Sequence, residues 1–115
     1  MDIFEASQLI TDKYSVRILV GTTKKPKSAI ELSEKFGIPI AACYRKIREL
    51  ERAGLLRCVE RRLTRKGKRV SMYISQLKTA YLFFENGRLR MRFQLTNGAV
   101  NDFGGEMGGP ELIEK

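Results

Sequence analysis

Four cations, Arg45, Lys46, Arg48 and Arg52, fall within one helical stretch of the segment FGIPIAACYRKIRELERAGLL, residues 36–56. Seven more follow almost at once: Arg57, Arg61, Arg62, Arg65, Lys66, Lys68 and Arg69, against Glu60 alone. Guanidinium and ammonium groups do not make or break bonds in such a pattern. They bind anions, and a row of them fits a polyanion. Residue types suited to other chemistry are scarce. Histidine, the commonest general base and metal ligand, is absent, which counts against catalysis and against a zinc finger. Cys43 and Cys58 form neither a disulfide framework nor a zinc spacing, and both are expected to act as small buried hydrophobes.

The balance of the chain agrees. With 22 Lys and Arg against 13 Asp and Glu, the 115 residues carry a net +9. Residues 96–115 hold four carboxylates and one lysine, which leaves +12 on residues 1–95. An apolar share of 43% suits one small domain with a single core. No apolar run approaches the roughly 20 residues of a membrane span, and no signal-peptide pattern opens the chain. The expected setting is the cytoplasm, on the nucleoid, with no membrane partner.

The elements that must position these cations can be read from period and punctuation. Ile3, Ala6, Leu9 and Ile10 lie at helical spacing behind Asp2, an N-cap, and a second helical stretch runs from Asp12 to Val20 as a separate helix or a continuation. Gly21 and Pro26 break the pattern. Ser28 and Glu31 form a capping box for AIELSEKF, with Ala29, Leu32 and Phe36 on one face, and Gly37 suits a left-handed helix end. Pro39 opens the next helix, about 39–53, in which Cys43, Ile47 and Leu50, with Ile40 alongside, form the core stripe. Ala41, Ala42, Arg45, Arg48, Glu49 and Arg52 are placed on its other side.

From Leu55 the period becomes that of strands. LLRCVERRL and RVSMYIS bracket the basic loop TRKGK. AYLFFE and RLRMRFQL flank Asn86-Gly87, the strongest short signal for a type I′ hairpin, which pairs Glu85 with Arg88 and Tyr81 with Arg92. Leu82, Phe84, Leu89, Met91 and Phe93 then share a face expected to be buried. Tyr81 and Phe83 lie opposite, beside Arg90 and Arg92, as a stacking platform, as cover for the arginine stems or as a dimer contact. Five glycines in residues 96–115 suggest a flexible acidic tail.

A capped helix, a turn at Gly37-Ile38-Pro39, a second helix and a basic hairpin make an α+β winged helix-turn-helix domain over residues 1–95, with the second hairpin as its C-terminal part and residues 96–115 as the tail. In that arrangement the second helix enters the major groove of double-stranded DNA. Ala41 and Ala42 permit close approach to the bases, and Arg45 and Arg48 reach deeper. The wing, residues 57–69, places Arg61, Arg62, Arg65, Lys66, Lys68 and Arg69 on the backbone or minor groove. Two other uses of such a chain are a non-specific chromatin-like or single-strand binder, and a winged-helix protein-interaction module of a transcription complex.

YSVRILV, SAIELSEKFGIPIAACYRKIRELERAGLL and GKRVSMYIS resemble the ArsR-type winged helices, most of all a group of small archaeal regulators with a basic wing and a final β-hairpin. The resemblance covers roughly residues 8–95. It implies a sequence-specific transcriptional regulator without catalysis or cofactor, acting as a homodimer, with Ile40, Ala41, Tyr44 and Arg45 at the base-contacting positions. The chain departs from the family pattern at Pro39, where a serine is usual. It also has none of the paired-cysteine or Cys/His/Asp clusters of the metal-sensing members. The apolar content of residues 2–20 makes that segment the expected dimer contact, with the second hairpin as a further candidate.

Overall fold

The computed structural model describes residues 1–104. Four helices come first, α1 (Ile3–Thr11), α2 (Lys13–Gly21), α3 (Ala29–Phe36) and α4 (Ile40–Arg52). Five strands follow, β1 (Leu56–Leu63), β2 (Arg69–Ser75), β3 (Leu77–Glu85), β4 (Arg88–Leu95) and β5 (Val100–Gly104). The strands form an antiparallel pair, β1-β2, and an antiparallel three-stranded sheet in the order β3-β4-β5. This is an α+β winged helix-turn-helix with a C-terminal sheet. No helix among the described residues is long and apolar enough to cross a membrane.

Asp12 decides that the N-terminal segment is two helices. Its backbone closes α1, and its carboxylate accepts the Tyr14 and Ser15 N–H groups that open α2. Lys46 of α4 lies 3.6 Å from the same carboxylate and ties the joint to the longest helix. Partial burial pushes the Asp12 carboxyl up. The Ser15 N–H, Lys46 and the Tyr14 N–H pull it down, and the net result lies below the usual value.

Gly21 does more than interrupt a pattern. It is the last residue of α2, and a Cβ there would collide with the Phe36 ring of α3. Glycine therefore sets how closely the two helices approach. The Ser28–Glu31 capping box and the left-handed Gly37, φ 65°, start and end α3 as the sequence predicts.

α4 is rotated from its expected setting. Cys43, Ile47 and Leu50 are buried, but Ile40 is 44% exposed while Ala42 is 9% exposed and belongs to the core. At 100° per residue the Ala42–Lys46–Leu50 row borders Cys43 and Ile47, so the buried arc includes Ala42 and leaves out Ile40.

Gln76, the one residue between β2 and β3, joins the two sheets to the end of α4. Its N–H donates to the Leu55 carbonyl and its side-chain amide to the Gly54 carbonyl, and its own carbonyl accepts the Thr96 N–H. Asn86 and Gly87 both have positive φ, as a type I′ turn requires, and the register read from that turn, Glu85 with Arg88 and Tyr81 with Arg92, is present. The face assignment is only half fulfilled. Met91 and Phe93 are buried, but Leu82 and Phe84 are exposed. Residues 100–104, expected to be loose, form β5, in which Phe103 meets the Phe93 ring edge-on at 5.4 Å. The expected flexibility of residues 105–115 lies outside the described residues.

Candidate nucleic-acid interface

The turn between α3 and α4 is closed from within. Ile38 is buried, Ser33 Oγ donates to the Ile38 carbonyl, and the Cys43 thiol lies 3.5 Å from the Ala29 carbonyl. Burial pushes the Cys43 thiol up in pKa, as suits a packing residue. Cys58 differs from its expected role, being exposed on β1.

Pro39 is the N-cap of α4 and supplies no side-chain hydrogen bond. Among the described residues no side chain caps the first-turn N–H groups of α4, at the positive end of a helix, where a phosphate oxygen is a suitable acceptor. From that end two rows run along the exposed arc. Ile40, Tyr44 and Arg48 form one, and Ala41, Arg45 and Arg52 the other. Ala42 is not among them. Its methyl packs inward, so of the two alanines only Ala41 faces outward for close approach. Lys46 also leaves the set, since it lies between Asp12 at 3.6 Å and Glu49 at 3.4 Å.

β1 follows α4 after a tight turn in which Gly54 takes φ 78°. Tyr73 of β2 packs on the core and is bonded through its backbone to Lys27 of the α2–α3 loop. Its hydroxyl is raised in pKa first by burial, against a lowering hydrogen bond to Ser71, and further by the charges of Glu51, Cys58 and Tyr44. The first strand of the wing starts directly at the C-terminal end of α4.

In the wing loop the Thr64 N–H donates to the Lys68 carbonyl at 2.7 Å, and Gly67 takes φ 78°, a conformation that favours glycine. Arg65, Lys66 and Lys68 are exposed around this loop. Strand alternation places Arg61 and Arg69 on one face of the hairpin and Arg62 on the other, where Arg62 pairs with Glu60. Among the described residues, Arg45, Arg48, Arg61, Arg65, Lys66, Lys68 and Arg69 form no ion pair.

Two features escape a reading based on charge spacing. Leu63 is 62% exposed on the face that carries Arg61 and Arg69, a large apolar side chain at the tip of a basic hairpin. An apolar residue among wing arginines is the only sequence signal for it. The α2–α3 loop is the second. Lys27 pairs with Tyr73 through backbone bonds, N to O at 3.0 and 2.9 Å, and so sets exposed Lys24 and Lys25 beside the base of the wing.

Residues 10–59 match the family model of a helix-turn-helix domain. The matched stretch contains α2, α3, α4 and the first residues of β1. A search of curated proteins finds no match. The chain thus contains a helix-turn-helix domain of the kind that serves DNA-binding regulators, and its second wing strand and C-terminal sheet lie beyond the matched stretch.

Proposed function

We propose that the protein is a sequence-specific, double-stranded DNA-binding transcriptional regulator of the ArsR type, most like the small archaeal regulators, working as a homodimer on the nucleoid in the cytoplasm. α4 enters the major groove with Ile40, Ala41, Tyr44, Arg45 and Arg48 toward the base edges. Arg61, Arg65, Lys66, Lys68 and Arg69 hold the flanking backbone or line the minor groove, with Arg62 on the far side of the wing. The observation that carries this reading is the contrast among the cations. Lys46 and Arg62 have carboxylate partners, whereas Arg45, Arg48 and the wing-loop cations are exposed and have none among the described residues.

Unpaired cations on a protruding hairpin supply affinity for any duplex, and side chains on the open end of α4 supply the choice of sequence. The test is selection of bound duplexes from a random pool, followed by affinity for the selected sequence and a shuffled one at one stated salt concentration. A ratio of about 1,000 or more supports sequence reading. A ratio near one would leave a non-specific binder.

A further inference from the structure

Leu63 ends β1 with 62% of its surface exposed, and it belongs neither to the core nor to the apolar side chains packed around it. It stands opposite Arg69 in the hairpin register, with Arg61 two residues before it on the same face. The loop beyond it carries Arg65, Lys66 and Lys68, all exposed. A leucine scattered singly on a surface is ordinary. This one is accompanied by five cations that form no ion pair among the described residues, at the end of a protruding hairpin.

The hairpin end is built to hold its shape. The Thr64 N–H donates to the Lys68 carbonyl at 2.7 Å, the Gly67 N–H to the Thr64 carbonyl at 3.0 Å, and the Lys68 N–H to Thr64 Oγ1 at 3.2 Å. Leu63 is thus next to a loop closed by three hydrogen bonds, in a strand paired to its last residue. Its backbone is fixed in advance, so little freedom is lost when the side chain is seated in a partner. Alternation along β2 from Arg69 through Ser71 puts Tyr73 on the same face, and Tyr44 and Glu51 of α4 act on the Tyr73 hydroxyl. Leu63 therefore projects on the side of the hairpin that meets α4.

Cations around one apolar side chain fit a partner with anionic rails and an apolar interior between them. Double-stranded DNA has both. Phosphates line the two edges of a minor groove roughly 6 Å wide, and below them lie flat base faces, bared when a step is opened. We propose that Leu63 is inserted between two base pairs from the minor groove and kinks the duplex there, with Arg61 and Arg69 on the flanking phosphates. This rests on the reading of the wing as a DNA contact and adds a deformation to it. The wing then selects sequence by how easily a step opens, favouring TA and CA steps, whereas phosphate contacts alone carry no such preference.

2-Aminopurine brightens when it loses its stacking neighbours. It is placed in turn at each step of a duplex selected from a random pool, whose ends carry an energy-transfer pair. Wild-type protein should raise the fluorescence several-fold at one step in the flank and draw the ends together, as a kink of about 20–90° requires. Leu63→Ser should abolish both effects and Leu63→Met should keep them. Both variants should melt like the wild type, since Leu63 has no part in the core. Opening a step offsets most of what burying a leucine gains, so affinity should change by less than about tenfold, and its salt dependence should not change. Should Leu63→Ser lower the melting temperature, Leu63→Thr, which keeps strand preference, takes its place with the same losses expected. A wild type that binds the duplex but leaves it straight and stacked would overturn the insertion while leaving the wing as a phosphate contact. One that binds no duplex would overturn both. Undiminished effects in Leu63→Ser, or absent ones in Leu63→Met, would also overturn it. So would anionic phospholipid vesicles that strip the wild type, but not Leu63→Ser, from the duplex, because Leu63 would then be a lipid contact.

Discussion

Removing the three wing-loop cations together, Arg65→Gln, Lys66→Gln and Lys68→Gln, has a consequence that can be worked out beforehand. All three are exposed and lack an ion pair among the described residues, so their loss should cost little stability. If each neutralises one phosphate, each releases about 0.9 counterion on binding, and the triple variant flattens the slope of log affinity against log salt by about 2.7. Between 50 and 200 mM salt, a fourfold change, that difference amounts to roughly 40-fold: the wild type loses about 40 times more affinity than the variant. The loss applies to operator and random duplexes alike, because phosphate contacts carry no sequence. Fluorescence anisotropy on both duplexes across a salt series measures it. Replacing Arg90, which is held over Phe83 and by Glu85, controls for net charge alone and should leave the slope nearly unchanged. An unaltered slope in the triple variant would refute the wing as a DNA contact.

Arg45→Ala should weaken operator binding by about 1–3 kcal/mol and relax preference at one base position, and equal losses on random DNA would make Arg45 a phosphate contact. Ala42→Leu should destabilise the fold by about 1–3 kcal/mol through overpacking, while Ala41→Leu should leave the melting temperature near that of the wild type and weaken DNA binding by steric contact. Thermal melts and anisotropy on the two variants check this pair. Asp12→Ala should cost about 1 kcal/mol at neutral pH as a lost cap. The folded-state pKa of Asp12 lies below its ordinary 3.8, so its contribution is complete above that value and disappears as pH falls through the folded one. Denaturant melts of wild type and variant should therefore differ at pH 7, and the difference should shrink as pH falls below 3.8.

Local signals were the most legible. The Ser28–Glu31 box, Gly37 and Asn86-Gly87 each act within four residues, and their geometry follows from the backbone alone. The register of β3 with β4 followed from one turn for the same reason. What escaped depends on distant partners. Ala42 and Ile40 exchanged roles because the rotation of α4 is set by α2 and α3, whose positions no spacing within α4 records. Lys46 reads as one more exposed cation until Asp12, far away in sequence, lies beside it. Leu82 and Phe84 have the alternation of a buried face, and alternation does not reveal how wide a helix is. β5 was hidden because glycines flank a five-residue strand whose chief apolar anchor is Phe103.

The junction at Gln76 has a bearing on how such a protein would diversify. A single residue separates the wing from the C-terminal sheet, and it is bonded on three sides, to Gly54, Leu55 and Thr96. The helix-turn-helix and the C-terminal sheet are thus welded at a fixed angle. If the proposed homodimer pairs through that sheet, this angle sets how many base pairs separate the two half-sites. New sequence preference could arise by exchanging side chains on α4, but new spacing would require reshaping the weld. Recognition of letters and measurement of distance would then evolve on separate parts of the chain, each free to change without disturbing the other.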